Sequence, residues 1–175
     1  EMNTRISTYD TLGHIGQSVT VAGWVHSRRD HGGLIFIDLR DHAGLLQLVI
    51  NPDVADVFAV AEQLRDEYVV RVTGVVRERD EGLRNDKIPT GGIELLTSEL
   101  TVLNRSETLP IQPFSEAQAN EELRLKYRYL DLRRPKAQET LKKRASYYKY
   151  LRDYMEARDF IEVTTPILAN SSPEG

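Results

Sequence analysis

Two arginines, an aspartate and a histidine crowd into Arg28-Arg29-Asp30-His31-Gly32-Gly33, and the strand-like run Leu34-Ile35-Phe36-Ile37-Asp38-Leu39-Arg40 follows directly. Side chains on a strand alternate between two faces, so Ile35, Ile37 and Leu39 form a core face and Leu34, Phe36, Asp38 and Arg40 the other. An aromatic ring is thus set among charges at the exit of a loop rich in cations. A flat ring on a wet sheet face beside guanidinium groups suits the stacking of an unpaired nucleobase, since every base offers a π-face and a nearby phosphate. The competing reading is that Phe36 covers an edge of the core.

The elements that position this stretch are legible on either side of it. Residues 18–28 alternate, with Val19, Val21 and Val25 on one side and Gly23 marking a bend or bulge. Gly32-Gly33 suits a hairpin turn, and Leu45-Leu46-Gln47-Leu48-Val49-Ile50 is a third strand with Gln47 as its one polar side chain. Asp53 is the expected N-cap of a helix carrying Val57, Val60, Ala61 and Leu64 at helical spacing. Residues 68–76 return to strand, residues 77–91 form a charged loop with Arg79, Arg84 and Lys87, and a fifth strand starts at Gly92 and extends toward Leu103.

Three strands, a helix and two strands is the order of a five-stranded Greek-key barrel of the OB type. Its nucleic-acid surface lies on strands two and three and on the loops joining strands one to two and four to five. Phe36 and Gln47 fall on those strands, with Arg28, Arg29 and His31 in the first loop. This convergence favours the base-stacking reading of Phe36.

From Arg105 to Asn120 periodicity lapses around Pro110 and Pro113, as in a hinge. Asn120 caps an expected helix in which Leu123, Tyr127 and Leu130 share a face, and Pro135 ends or restarts it. A longer helix is expected over 137–158 with a stripe of Leu141, Ala145, Tyr148, Leu151 and Met155. A short strand Phe160-Ile161-Glu162-Val163 runs on to Pro166. Nothing remains to cover the stripe, so this portion reads as the opening of a second domain.

The 175 residues hold no cysteine, which excludes a disulfide scaffold and a thiolate metal site and fits a reducing, cytoplasmic setting. No apolar run reaches the length of a membrane span. The net charge of −4 conceals an asymmetry: residues 123–152 carry eleven Lys or Arg against two acids. A basic segment on an acidic chain is compatible with a polyanion partner, and equally with solvated helices. The four histidines lack ligand spacing, and no metal site is expected.

Taken together, Gly23-Trp24-Val25, the 28–33 stretch, Phe36-Ile37-Asp38-Leu39-Arg40-Asp41 and Leu123-Arg124-Leu125-Lys126-Tyr127-Arg128-Tyr129-Leu130-Asp131-Leu132-Arg133-Arg134 resemble bacterial-type aspartyl-tRNA synthetase. Thr165-Pro166 and Ser172-Pro173-Glu174-Gly175 add to the likeness, which runs over essentially the whole chain. Thr164, Asp159 and Ala169-Asn170-Ser171 depart from the family's pattern.

The resemblance implies an all-β five-stranded OB-fold Greek-key barrel that reads the anticodon (1–104), a hinge (105–120) and the start, helix plus strand, of a class II α/β catalytic domain (121–175). It implies an aspartate–tRNA ligase that uses ATP and Mg²⁺, acts on tRNA(Asp) and works as a homodimer. The ATP-binding motifs lie further along in the family, so the portion here is expected to bind neither cofactor and to be catalytically inactive alone. By matching position, Arg28, Arg29, Phe36, Gln47 and Glu94 are anticodon-binding residues, with Phe36 stacking on the central base. Pro166 belongs to the dimer-interface motif, and Glu174 lies near the amino acid and tRNA 3′ end. His31 and Gly82 resemble the residues of enzymes that also charge tRNA(Asn). The alternatives are an asparaginyl or lysyl relative, and a stand-alone OB-fold RNA-binding module.

Overall fold

The computed structural model describes residues 4–168 except 116 and 118. It divides into two units, one ending at Thr108 and the other starting at Leu109.

The first unit is a single five-stranded sheet: β1 (Ser18–His31), β2 (Leu34–Arg40), β3 (Leu45–Ile50), β4 (Val69–Glu78) and β5 (Ile93–Asn104). Helix α1 (Ala55–Glu62) joins β3 to β4. Strand order is β1-β2-β3-β5-β4, and β4 pairs back onto β1. The seam between β3 and β5 is parallel and rests on two residue pairs, Leu48↔Leu95 and Val49↔Leu96.

Alternation sorts the side chains as expected. Val21, Val25, Ile37, Leu39, Leu46, Leu48, Ile50, Val70, Val72 and Leu95 are fully buried and form the core. Val57, Ala61 and Leu64 close one side of that core from α1 and the turn after it. Burying such aliphatic side chains contributes roughly 1.5–3 kcal/mol each before the entropy of ordering is subtracted. Gly23 allows β1 to pass β2 at close range, since a Cβ there would overlap the Arg40 carbonyl oxygen. The irregularity in the β1–β2 ladder falls just after it, between Val25 and Ser27.

The N-terminal segment is tied down by Asp41. Its carboxylate accepts from Thr8 N at 2.8 Å and Thr8 Oγ1 at 2.7 Å, and also from Ala43 N and Gly44 N. Burial alone would raise the Asp41 carboxyl, but these hydrogen bonds outweigh it and hold it below the usual range.

In the second unit, α2 (Glu121–Lys126) is capped by the Asn120 side chain, which accepts from Leu123 N at 2.9 Å. The short helix α3 (Arg128–Asp131) follows, and α4 (Pro135–Glu156) starts on its proline, where the missing N–H is no loss. Asp131 is buried and accepts from Arg124 at 2.9 Å, Arg128 at 3.0 Å and Arg134 at 3.3 Å. The bond from Arg124, opposed by burial and helped by Arg134, holds its carboxyl low.

The expected fold class is corrected here. The five strands close into a ring, but the sheet is mixed rather than all antiparallel. It is joined at a two-pair parallel β3–β5 seam and packed against helix α1, so the unit is not all-β, and helices alone make up the regular structure of the described second unit. Residues 160–163 are not a strand: no described strand pairs with them, and an apolar run without a ladder partner leaves its backbone groups to water. Two local expectations also change. Val54, not Asp53, is the N-cap of α1, and Asn51 Oδ1 instead accepts from Asp53 N in an Asx turn. Arg28, Arg29 and His31 are strand residues of β1, not loop residues.

Candidate nucleic-acid interface

β1 and β2 form a hairpin ribbon that turns at Gly32 and Gly33, whose φ values of 60° and 79° suit a tight hairpin turn. In this ribbon Arg29 pairs with Phe36, and Phe36 pairs with Val49 of β3. The next row holds Ser27, Asp38 and Gln47. Both rows present their side chains on the face away from the core.

A polar chain crosses that face. Arg29 Nη2 donates to Asp38 at 3.0 and 3.2 Å and to Gln47 Oε1 at 3.4 Å. Gln47 Nε2 donates to Glu94 at 2.9 Å, so both ends of its amide are engaged. Glu94 accepts from Arg77, its direct cross-strand partner, at 2.7 Å, and Arg79 lies 3.8 Å away. Arg79 is buried and also donates to the Ile93 carbonyl at 3.0 Å. Burial pulls its guanidinium below the ordinary value, Glu94 opposes this, and the group stays charged at neutral pH.

These residues line an open cleft of about 960 Å³ bounded by Phe36, Leu45 and Val49 on one side and by Leu83, Asn85 and Ile88 of the β4–β5 connection on the other. Phe36 is half-buried on the floor of this cleft, not enclosed in the core. The site therefore offers a ring face, a fixed amide, a buried carboxylate and three guanidinium groups. Groups of these kinds are the ones that proteins use to stack unpaired bases and to read their edges.

Of the residues picked out from sequence, Arg29, Phe36, Gln47 and Glu94 come together, and His31 lies on the rim of the same cleft. Arg28 does not join them. It faces the opposite side of β1, paired with Ile37, and its Nη2 bonds Asp30 at 2.8 Å. Gly82 lies in an exposed 3₁₀ turn, Glu81–Leu83, whose neighbours Asp80 and Leu83 line the cleft, and a Cβ on it would meet nothing within 4 Å. Pro166 is exposed in irregular chain, and Glu174 lies outside the described residues. Sequence reasoning missed Asp38 and Arg77 as members of the site. The signals were the two-residue spacing that puts Asp38 beside Phe36, and the same spacing between Arg77 and Arg79. Among the described residues no group of three or more His, Asp or Glu is arranged to hold a metal ion.

Residues 19–103, which span β1 to β5, match the family of OB-fold nucleic acid binding domains, and residues 120–175 match class II tRNA synthetases (D, K and N). The aspartate–tRNA(Asp/Asn) ligase of Legionella pneumophila is 48% identical over 161 residues, covering 92% of this chain. Aspartate–tRNA ligase 2 of Streptococcus mutans is 52% identical over 164 residues, covering 93%. The chain belongs to the class II aminoacyl-tRNA synthetases, closely related to the aspartate–tRNA ligases. It spans 27% and 28%, respectively, of the length of those two relatives.

The solved structures agree with this class II assignment. Asparaginyl-tRNA synthetase from Pyrococcus horikoshii superposes with a TM-score of 0.81 at 30% identity, over 96% of this chain and 39% of that one. A Leishmania major structure described as a putative aspartyl-tRNA synthetase gives a TM-score of 0.83 at 21% identity, over 98% and 36%, a likeness of fold. In this class II synthetase chain the cleft is built entirely from the segment that matches the nucleic-acid-binding family.

Proposed function

We propose that this chain supplies the anticodon-reading part of an aspartate–tRNA ligase, which activates aspartate with ATP and Mg²⁺ and transfers it to tRNA(Asp). The observation that carries the proposal is the half-buried ring of Phe36 on a wet sheet face, one row from a Gln47 amide locked between Arg29 and Glu94. On this reading Phe36 stacks on the central anticodon base. Arg29 and Gln47 bond its edge or a neighbour's, and Glu94, held by Arg77, accepts from another anticodon base. Arg28, on the far face of β1, contributes to the ribbon rather than to a base.

His31 on the rim and the open position of Gly82 leave room for either third anticodon base, which supports charging of tRNA(Asn) as well as tRNA(Asp). The Legionella relative carries a name of that dual kind. The full-length protein is read as a homodimer. The stripe of Leu141, Tyr148, Leu151 and Met155 on α4, with Pro166 beyond it, is exposed in one copy and offers an apolar face to a second. Among the described residues no helix is long and apolar enough to cross a membrane.

The test is binding of this chain to anticodon stem-loops carrying GUC, GUU and an unrelated triplet, followed by fluorescence anisotropy. GUC and GUU bind, the unrelated triplet binds far more weakly, and Phe36→Ala costs about 1–3 kcal/mol with the first two. Equal binding of all three, or an unaltered affinity of Phe36→Ala, overturns the reading. Charging of tRNA(Asn) by the full-length enzyme tests the dual specificity, and absence of product rejects it.

A further inference from the structure

Asp38 stands in the middle of a face that we read as a receptor for a polyanion. Coulomb repulsion argues against a carboxylate there, and aspartate is a poor strand former. Its contacts offer a reason for its presence. Ser27 Oγ donates to Asp38 at 2.6 Å from one side, and Arg29 Nη2 donates to both of its oxygens from the other.

The register makes the consequence specific. Arg29 belongs to the row of Phe36, yet its guanidinium reaches one row back to Asp38 and Gln47. The side chain of Arg29 is 56% exposed, and without a partner such a long chain sweeps through solvent. These contacts all run through Nη2, which leaves Nε and Nη1 to donate elsewhere. Holding a donor in its bound orientation before the ligand arrives reduces the ordering cost of binding.

We infer that Asp38 is a positioning residue: it fixes the Arg29 guanidinium beside the Phe36 ring, so that a base stacked there meets a donor already in place. This rests on the anticodon-reading function proposed above and deepens it by giving specificity to a residue that never touches the RNA.

The proposal and simple electrostatics differ in sign. Removing a negative charge from the face should tighten binding to every RNA, whereas losing the hold on Arg29 should weaken it and blur the choice of central base. The experiment compares Asp38→Asn with the unmodified chain, using stem-loops with GUC and with GAC, in both the native and the Arg29→Ala backgrounds.

We expect Asp38→Asn to weaken GUC binding by about tenfold, the size of effect associated with one charge-assisted hydrogen bond. The preference for GUC over GAC shrinks, and in the Arg29→Ala background Asp38→Asn changes affinity by less than about twofold. Tighter or unaltered GUC binding overturns the inference, as does an undiminished loss in the Arg29→Ala background. Phe36→Ala run in parallel separates the two levels. If it leaves affinity unaltered, the anticodon reading itself fails; if it weakens binding while Asp38→Asn tightens it, only the role of Asp38 fails. Should Asp38→Asn not fold, Ser27→Ala decides: about threefold weaker GUC binding supports the inference and no change overturns it.

Discussion

Arg40 shows how one residue can obey the strand's alternation and still be read wrongly from it. Alternation puts it on the face of Phe36, beside charges, yet it is buried in a two-pronged ion pair with Glu67, with both bonds at 2.8 Å. Its Nη1 also lies 3.0 Å from His26 Nδ1, and its guanidinium lies over the Trp24 ring. Glu67 has the left-handed φ of 67°, a strained choice for a non-glycine residue, and its N–H donates to the Val25 carbonyl at 2.7 Å. No local pattern predicts a pair 27 residues apart in sequence. Removing one partner strands a buried charge, so Glu67→Gln should lower stability by about 3 kcal/mol or more in urea unfolding.

His26 gives a pH signature at the same place. A guanidinium only donates, so Nδ1 accepts and the ring is neutral. Burial, reinforced by the charge of Arg40 and opposed by Asp38, Glu67 and Asp66, pulls the imidazole below its ordinary value. The unfolded chain then takes up the proton first, near pH 6.5. Stability from this group is therefore complete above about pH 7 and falls as the pH drops below about 6.5. The melting temperature should be level above pH 7 and decline below 6.5, and His26→Gln should flatten the upper part of that decline. Asp41, with its carboxyl held low, adds its loss only below about pH 4.

At the scale of elements, the apolar alternation of β1, β2 and β3 and the Asn120 cap of α2 were legible because each is written in consecutive residues. The far half of β1 was not. Arg28 to His31 carry no apolar signal, and they are extended because β2 pairs with them residue by residue. The run at 160–163 fails for the converse reason, since a strand-like pattern becomes a strand only beside another strand. The same distinction explains the site: Phe36 and Gln47 declare themselves by type, whereas Asp38 and Arg77 matter through partners across the ladder. Close strand contact also sets a stability test. Gly23→Ala drives a Cβ into the Arg40 carbonyl, and the sheet must shift to admit it. A loss of about 2 kcal/mol or more in thermal or urea unfolding is expected.

At the scale of the whole molecule, every residue of the main apolar core belongs to the unit that ends at Thr108. A polypeptide of residues 1–108 should therefore fold by itself, with a dispersed amide NMR spectrum and a urea midpoint close to that of the sheet in the longer chain. The β3–β5 seam has a further consequence. Gln47 immediately precedes its first pair on β3, and Glu94 does so on β5, so their 2.9 Å bond is a staple at the mouth of the weakest joint in the sheet. An RNA loop that grips both side chains would act as a clamp across that joint. Amide hydrogens of Leu48, Val49, Leu95 and Leu96 should then exchange more slowly with solvent when the stem-loop is bound, so that occupancy of the cleft is recorded as quieter breathing of the backbone behind it.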